Sequence, residues 1–506
     1  MSINHALSNA LSGLNAASRM AEVVASNLAN ATTEGYGRRR LDLSPVQIGG
    51  RGGGVRVDGI TRLVDRGLLA DRRHAGAALA GADTMASALG RLESLVGEID
   101  DPLSIAGRIT ALEEALAAAA TDPSSETRLG QVVTRLGEVA TAIRSASGEV
   151  QDVRIAADRR IADGVDLLNS SLEQVAELNA DITRAINTGG DASALLDPRQ
   201  VVVDRISELV PVREMDRPGG QIALVSVSGQ ILLDGSTPPV FGFDPSPVIE
   251  PGMTLAAGDL SGITLDGAPL GTDGVGKLGG GTLAASFALR DRTMTALSGS
   301  LDALAADLIA RFEDPATDPT LGPGMPGLLT DAGAALGGPV AGLADRIAVN
   351  AAVDPAQGGD LWRLRDGVGA ATAGPVGDAT QLFAWSDALS AQRPSEPGGA
   401  LRSAGGHAAA WLSDVGVLRL NADDAAGFAT AGGRDARCAM VHLAATAART
   451  LADSACGDQA AMVIEGLAPR PCSAAADRPG GAGGASGAFA QDPLGAVAGS
   501  RRAGHA

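Results

Sequence analysis

The chain has 506 residues, 45% of them hydrophobic, only 2% aromatic, and a formal charge of -19. That length exceeds a single compact core, so about three globular units are expected, and the shortage of aromatics points to Ala-Leu helices. The acidic balance, with Lys277 as the only lysine, excludes a nucleic-acid binder, which must neutralise phosphates with clustered Lys and Arg.

Apolar residues Ile3, Leu7, Ala10, Leu14, Ala17, Ala21, Val24 and Leu28 step by four and three alternately, the 3.5-residue period of a coiled-coil seam. Its alanines and its Ser/Asn flanks predict a helix that is marginal alone and gains order against a partner helix, with Leu7, Leu11, Leu14, Val24 and Leu28 as contact residues. No run of 18 apolar residues is present, and the first 20 residues lack a basic-then-apolar leader, so neither membrane insertion nor a cleaved signal is expected.

The helix is expected to end within NLANATTEGY, residues 27–36, where Asn and Thr compete for backbone hydrogen bonds and Gly35 permits a turn. Asn27, Asn30, Thr33, Gly35 and Tyr36 are candidates for closing the helix and setting the angle of the next segment, by capping or by a subunit contact. Tyr36, the only tyrosine, suits a buried ring with a bonded hydroxyl. The run Arg38, Arg39, Arg40 reads first as a solvated charge cluster.

Pro45, five glycines and then VRVDGI predict a loop with a short strand or hairpin. Residues 63–186 return to helical periodicity, with breaks near Asp101-Pro102 and Asp122-Pro123. Between Pro211 and Leu278 the period falls to two, as in QIALVSVSGQILLDG, which predicts an inserted β domain projecting from a helical body. Helix is expected again over 281–314, irregular structure with short strands over 315–400, and helix over 401–428.

After Phe428 the pattern is lost. Residues 434–506 hold seven Arg against six Asp and Glu, and all three cysteines, Cys438, Cys456 and Cys472, lie there. A frameshift near 430–434 or a divergent tail accounts for this, and disorder is expected. The odd cysteine count without CxxC or Cys/His spacing gives no zinc signature. The sequence also lacks GxSxG, HExxH and phosphate-loop motifs, so no catalytic, metal or cofactor residue is expected.

The segment LSNALSGLNAASRMAEVVASNLANATTEGYGRRR resembles the N-terminal signature of bacterial flagellar axial proteins. LLDPRQVVVDRISELVPVREMDRPGGQIALVSVSGQILLDG and GTLAASFALRDRTMTALSGSLDALAADLIARF are similar to segments of the hook-associated protein 1 family, which joins hook to filament. The resemblance covers residues 1–428. It implies a mainly α fold with an inserted β domain: a long-helix coiled-coil rod, flagellin-like, with a β-rich outer domain. The expected division is 1–36 assembly helix, 37–195 rod, 196–278 β insertion, 279–428 returning rod and 429–506 tail.

The resemblance further implies a secreted, extracellular structural subunit at the hook-filament junction, transiently cytoplasmic before export. Its partners would be other copies in a ring, hook protein, the second junction protein, an export chaperone and the flagellar type III export apparatus. Another axial role, as second junction protein, flagellin or hook protein, is the alternative, with an adhesin or binding module further off. The family closes with a long helix that pairs with the first one and binds the chaperone. No such helix is read here.

Overall fold

The computed structural model describes residues 3–48, 51–394 and 399–455. The chain divides into two units, 1–444 and 445–506, and the described part of the second is the end of the last helix. The fold is mainly α with long helices and small antiparallel sheets.

Helix α1 (Ile3–Ala29) leads into a long hairpin, β1 (Arg38–Ile48) and β2 (Arg51–Leu63). Pro45 sits in β1 next to a register shift, where no ladder donor is needed. Three helices follow: α2 (Arg66–Val96), α3 (Ile105–Thr121) and α4 (Glu126–Asn187). The breaks expected at the Asp-Pro pairs occur there, and each new helix is started by a side chain. Ser104 accepts from the Gly107 amide, and Ser125 accepts from that of Arg128.

The 62 residues of α4 span about 93 Å at 1.5 Å per residue. Its buried side chains Leu129, Val132, Leu136, Val139, Ile143, Ala146, Val150 and Val153 alternate by three and four. From Val153 the steps to Ala157, Ile161 and Val165 are all four, an interruption of the heptad that rotates the buried stripe. The two halves of α4 serve different hydrophobic cores, with the change falling between Ala157 and Ile161.

Beyond α4 come α5 (Ser193–Leu209) and the meander β3 (Val212–Asp216), β4 (Ile222–Ser226) and β5 (Ile231–Leu233). A second small sheet contains β6 (Phe241–Gly242), β7 (Thr264–Leu265) and β8 (Ala268–Pro269). With the latter half of α4 and with α6 (Gly281–Ala288) these elements build the second core, around Leu168, Leu172, Val203, Ile206, Leu224 and Leu232.

The first core is completed by α7 (Met294–Glu313), the pair β9 (Leu329–Asp331) and β10 (Ile347–Val349) with α8 (Leu343–Arg346) between them, and α9 (Trp362–Asp366). Then come α10 (Thr380–Ser390) and α11 (Ala404–Ala455). Helix α10 lies within residues 315–400, expected to be irregular. Its register is fixed by Trp385, fully buried, whose indole donates to the Leu364 carbonyl at 3.0 Å. Buried Arg311 on α7 closes the end of α10 by donating to the carbonyls of Ala388 and Ala391, both at 2.6 Å. Helix α11 runs through the expected break at 428 to Ala455; the rest of the expected tail lies outside the described residues.

Candidate functional site

Helix α1 carries two opposite faces. The face laid on the hairpin is made of small and polar residues: Asn9, Ser12, Ala16, Val23, Ser26 and Asn27, with Ala16 4% and Val23 8% exposed. The face turned away holds the leucine seam, where Leu7, Leu14 and Leu28 are each about two-thirds exposed (65%, 67% and 65%) and Leu11 and Val24 are also open. A soluble helix normally buries its apolar stripe and shows its polar one. Here the order is inverted, because the hairpin approaches α1 through backbone.

That close approach sits at Gly54, φ +101°, where an added Cβ would collide with the Ser12 Oγ. The Ser12 hydroxyl accepts from the Val55 amide at 3.2 Å, and the Asn9 amide donates to the Gly52 carbonyl at 3.2 Å. At the other end of α1, Asn27 holds the base of the hairpin in a two-way bond. Its Nδ2 donates to the Arg39 carbonyl and its Oδ1 accepts from the Arg39 amide, both at 2.9 Å. The Tyr36 hydroxyl donates to the same Oδ1 at 2.9 Å, and the Arg39 guanidinium lies 5.1 Å from the Tyr36 ring centre. Asn30 turns its amide back to the Ser26 carbonyl at 2.9 Å and accepts from the Thr33 hydroxyl, which ends the helix as its side chains dictate.

These residues thus fall into two groups. Leu7, Leu11, Leu14, Val24 and Leu28 form an open surface, whereas Asn27, Asn30, Thr33, Gly35 and Tyr36 work within the chain as a joint. Gly35 has φ +76° and faces α5, where a Cβ would collide with the Val201 side chain. Only glycine satisfies both the backbone and the space.

One carboxylate secures the joint to the body. Asp197 on α5 accepts from the Gly37 amide at 2.9 Å, from Arg39 at 3.0 Å and from Arg62 at 2.8 Å. Arg62 also donates to the Gly35 carbonyl at 3.0 Å and to Gln200. The expectation of a solvated arginine run is therefore corrected for Arg39, which is largely buried against Asp197, while Arg40 stays exposed beside Asp42. Asp197 had no local signature, since it lies 158 residues from Arg39 in the chain. On the outer hairpin face, hydrogen bonds led by the Thr61 hydroxyl hold Asp42 below the usual carboxylate range, and bonds led by Ser44 do the same for Asp58.

Charge-assisted bonds of this kind contribute about 1.5–3 kcal/mol each. Asp197→Asn, which keeps the shape and removes the charge, is expected to weaken the joint by about 3 kcal/mol, roughly a hundredfold more open state. Trypsin digestion should then cut at the Arg38–Arg40 run at least tenfold faster, with the melting of the helical body unchanged. Equal cleavage rates would show that Asp197 does not hold the joint.

Comparison with known proteins agrees with this architecture. Residues 89–317 match the family described as flagellar hook-associated protein FlgK helical domain, and residues 7–36 match flagella basal body rod protein. Curated relatives include flagellar hook-associated protein 1 of Salmonella typhimurium, 28% identical over 244 residues, covering 46% of this chain and 43% of that one. The Escherichia coli protein is 28% identical over 247 residues with the same coverage, and the Bacillus subtilis protein is 25% identical over 240 residues, covering 45% and 47%. A solved structure of the flagellar hook junction protein FlgK from Burkholderia pseudomallei is 22% identical, with TM-score 0.41 over 53% of this chain and 46% of that one.

The N-terminal helix with its Asn-rich turn is similar to flagella basal body rod protein over residues 7–36, and the long-helix body to the hook-associated protein helical domain over residues 89–317. The chain is thus similar to hook-associated protein 1, and it spans a little under half the length of the curated relatives it matches. No described helix is long and apolar enough to cross a membrane.

Proposed function

We propose that this chain is a structural subunit of the hook-filament junction, built into the flagellum through the leucine seam of α1. The observation that carries the reading is the inverted helix. Seven large apolar side chains between Ile3 and Leu28 are exposed, an arrangement a monomer gains nothing from and an assembly contact requires. The seam contacts, with Leu7, Leu11, Leu14, Val24 and Leu28 as anchors, bury against neighbouring subunits, while the joint at Asn27, Asn30, Thr33, Gly35 and Tyr36 sets the angle between α1 and the body.

The family relationship supports hook protein and the second junction protein as neighbours, copies of this chain in a ring, and passage through the flagellar type III export apparatus with a cytoplasmic chaperone. A marginal helix such as α1 suits export as an extended chain, because its order is supplied by packing at the destination. The role is mechanical and no reaction is assigned. Electron microscopy of a strain lacking the gene is the test: bare hooks with flagellin released into the medium, both reversed by supplying this chain, are expected. A strain without hooks, or one with normal filaments, would overturn the reading.

A further inference from the structure

Helix α7 buries a carboxylate that packing does not explain. Asp302 is 3% exposed, and burial raises its carboxyl above the usual range against the pull of two amide bonds. Those bonds occupy both oxygens: Oδ2 accepts from the Gly342 amide at 2.9 Å and Oδ1 from the Ala344 amide at 2.8 Å. At the end of the same helix, half-buried Glu313 accepts from the Leu336 amide at 2.9 and 3.1 Å. All three amides belong to residues 332–346, the excursion between β9 and β10.

Apolar burial in this excursion is concentrated at Leu343 and Ala344, and none of residues 332–341 is buried. Its base is closed by Arg346, which donates to Asp331 at 2.7 Å and to the Pro339 carbonyl at 2.8 Å. A segment with so few buried apolar contacts opens more readily than the cores beneath it. What it lies against is the β insertion. A Cβ added at Gly342 would be 3.3 Å from the Pro251 ring, and one added at Gly252 would be 3.9 Å from the Ala341 Cβ. Pro251 and Gly252 stand in the link 243–263 between β6 and β7. The same turn of the link is gripped by Arg154 of α4, which donates to the carbonyls of Glu250 at 3.1 Å, Pro251 at 3.3 Å and Met253.

We propose that residues 332–346 form a strap, latched by Asp302, which together with Arg154 clamps the link and fixes the β insertion to the helical body. Releasing the latch frees the link while both cores stay folded. The inference is independent of the assembly role. A carboxylate bonded through both oxygens holds the strap in one position, and its removal leaves two backbone amides unpaired. The apolar packing of α7 beneath, at Leu301, Leu304 and Leu308, is untouched by that change. A link freed at this point lets the insertion change its angle by rotation about a few loop residues, with neither core repacked.

Hydrogen exchange of the full chain, read by mass spectrometry, tests the strap with Asp302→Asn, whose one carbonyl oxygen serves one amide while its NH2 opposes the other. Peptides covering 332–346 and 249–261 are expected to exchange at least tenfold faster than in wild type. Peptides of α3 and α5, one from each core, are expected to stay within twofold. If the strap quickens and the link does not, the strap does not clamp the link; if the α3 and α5 peptides quicken equally, Asp302 serves the fold alone. Either result overturns the proposal. A lock in the otherwise native chain decides the matter however that variant folds. Gly252→Cys with Ala341→Cys sets two Cβ atoms about 3.9 Å apart, within disulfide range. With the 252–341 bridge confirmed by peptide mapping, the oxidised form is expected to exchange its link at least threefold more slowly than the reduced form, while the same reductant leaves wild type unchanged. A bridge that does not form, or one that leaves link exchange as it was, would remove the clamp.

Discussion

Leu14→Glu is expected to leave the isolated protein unchanged and to abolish its incorporation into flagella. Leu14 is two-thirds exposed and touches no core, and Glu has nearly the helix propensity of Leu, so folding has little to lose. In an assembled contact the balance differs. Removing a buried leucine forfeits about 1.5–3 kcal/mol, and an unpaired carboxylate in its place adds a desolvation cost of several kcal/mol. The sum, at least about 4 kcal/mol per contact, is roughly a thousandfold in affinity and recurs at every copy. Asn15→Glu adds the same charge on an exposed position beside the seam and should assemble normally. Melting within about 1 °C of wild type for both variants, with motility lost only for the first, is the expected pattern. Motility at the wild-type level with Leu14→Glu would remove the seam from the mechanism.

The seam was legible because its period is a property of the residues alone, and so were the two Asp-Pro breaks and the period-two segment after Pro211. The direction in which the seam points was not. Ala16, Ser12, Asn9 and Asn27 do not read as a buried face, and they become one only because Gly52 and Gly54 bring the hairpin backbone into contact. The joint was partly legible: the Asn-rich turn marked its position, but its latch, Asp197, is distant in sequence and looks like any helix-surface carboxylate. Helix α10 was hidden for another reason, since its 11 residues are flanked by Gly, Pro and Asp whose composition dominates any window across them.

The same blindness applies to the buried ion pair where the two cores meet. Arg290 lies in a five-residue π-turn, Leu289–Thr293, between α6 and α7, an irregularity of the kind found where a helix must re-aim a side chain. Its guanidinium is fully buried, bonded to Asp158 of α4 at 2.5 Å, to the Ser261 carbonyl at 2.8 Å and to neighbouring Asp291, and it lies 4.9 Å from the Phe287 ring centre. Arg154, one turn before Asp158, donates to the Arg290 carbonyl at 3.0 Å and to the Glu250 carbonyl at 3.1 Å. This network occupies the stretch where the heptad of α4 is interrupted, so polar bonds replace the apolar stripe between the two cores.

Asp158→Asn is therefore expected to cost about 3 kcal/mol, the lower end for breaking a buried pair, because Asp291 still faces Arg290. For a unit of 444 residues that lowers the melting point by about 3 °C. The sharper result concerns coupling. Trp385 and Trp411 are buried in the first core and Trp362 lies beside it, so tryptophan fluorescence reports that core, whereas far-ultraviolet dichroism reports helices of both. In the wild-type protein the two transitions should coincide, since α4 is common to both cores. In Asp158→Asn the dichroism change should begin first, as the second core loosens while the tryptophans stay buried. Transitions that remain superimposed in the variant would mean that the apolar stripe of α4 alone couples the cores and that the ion pair is dispensable to it.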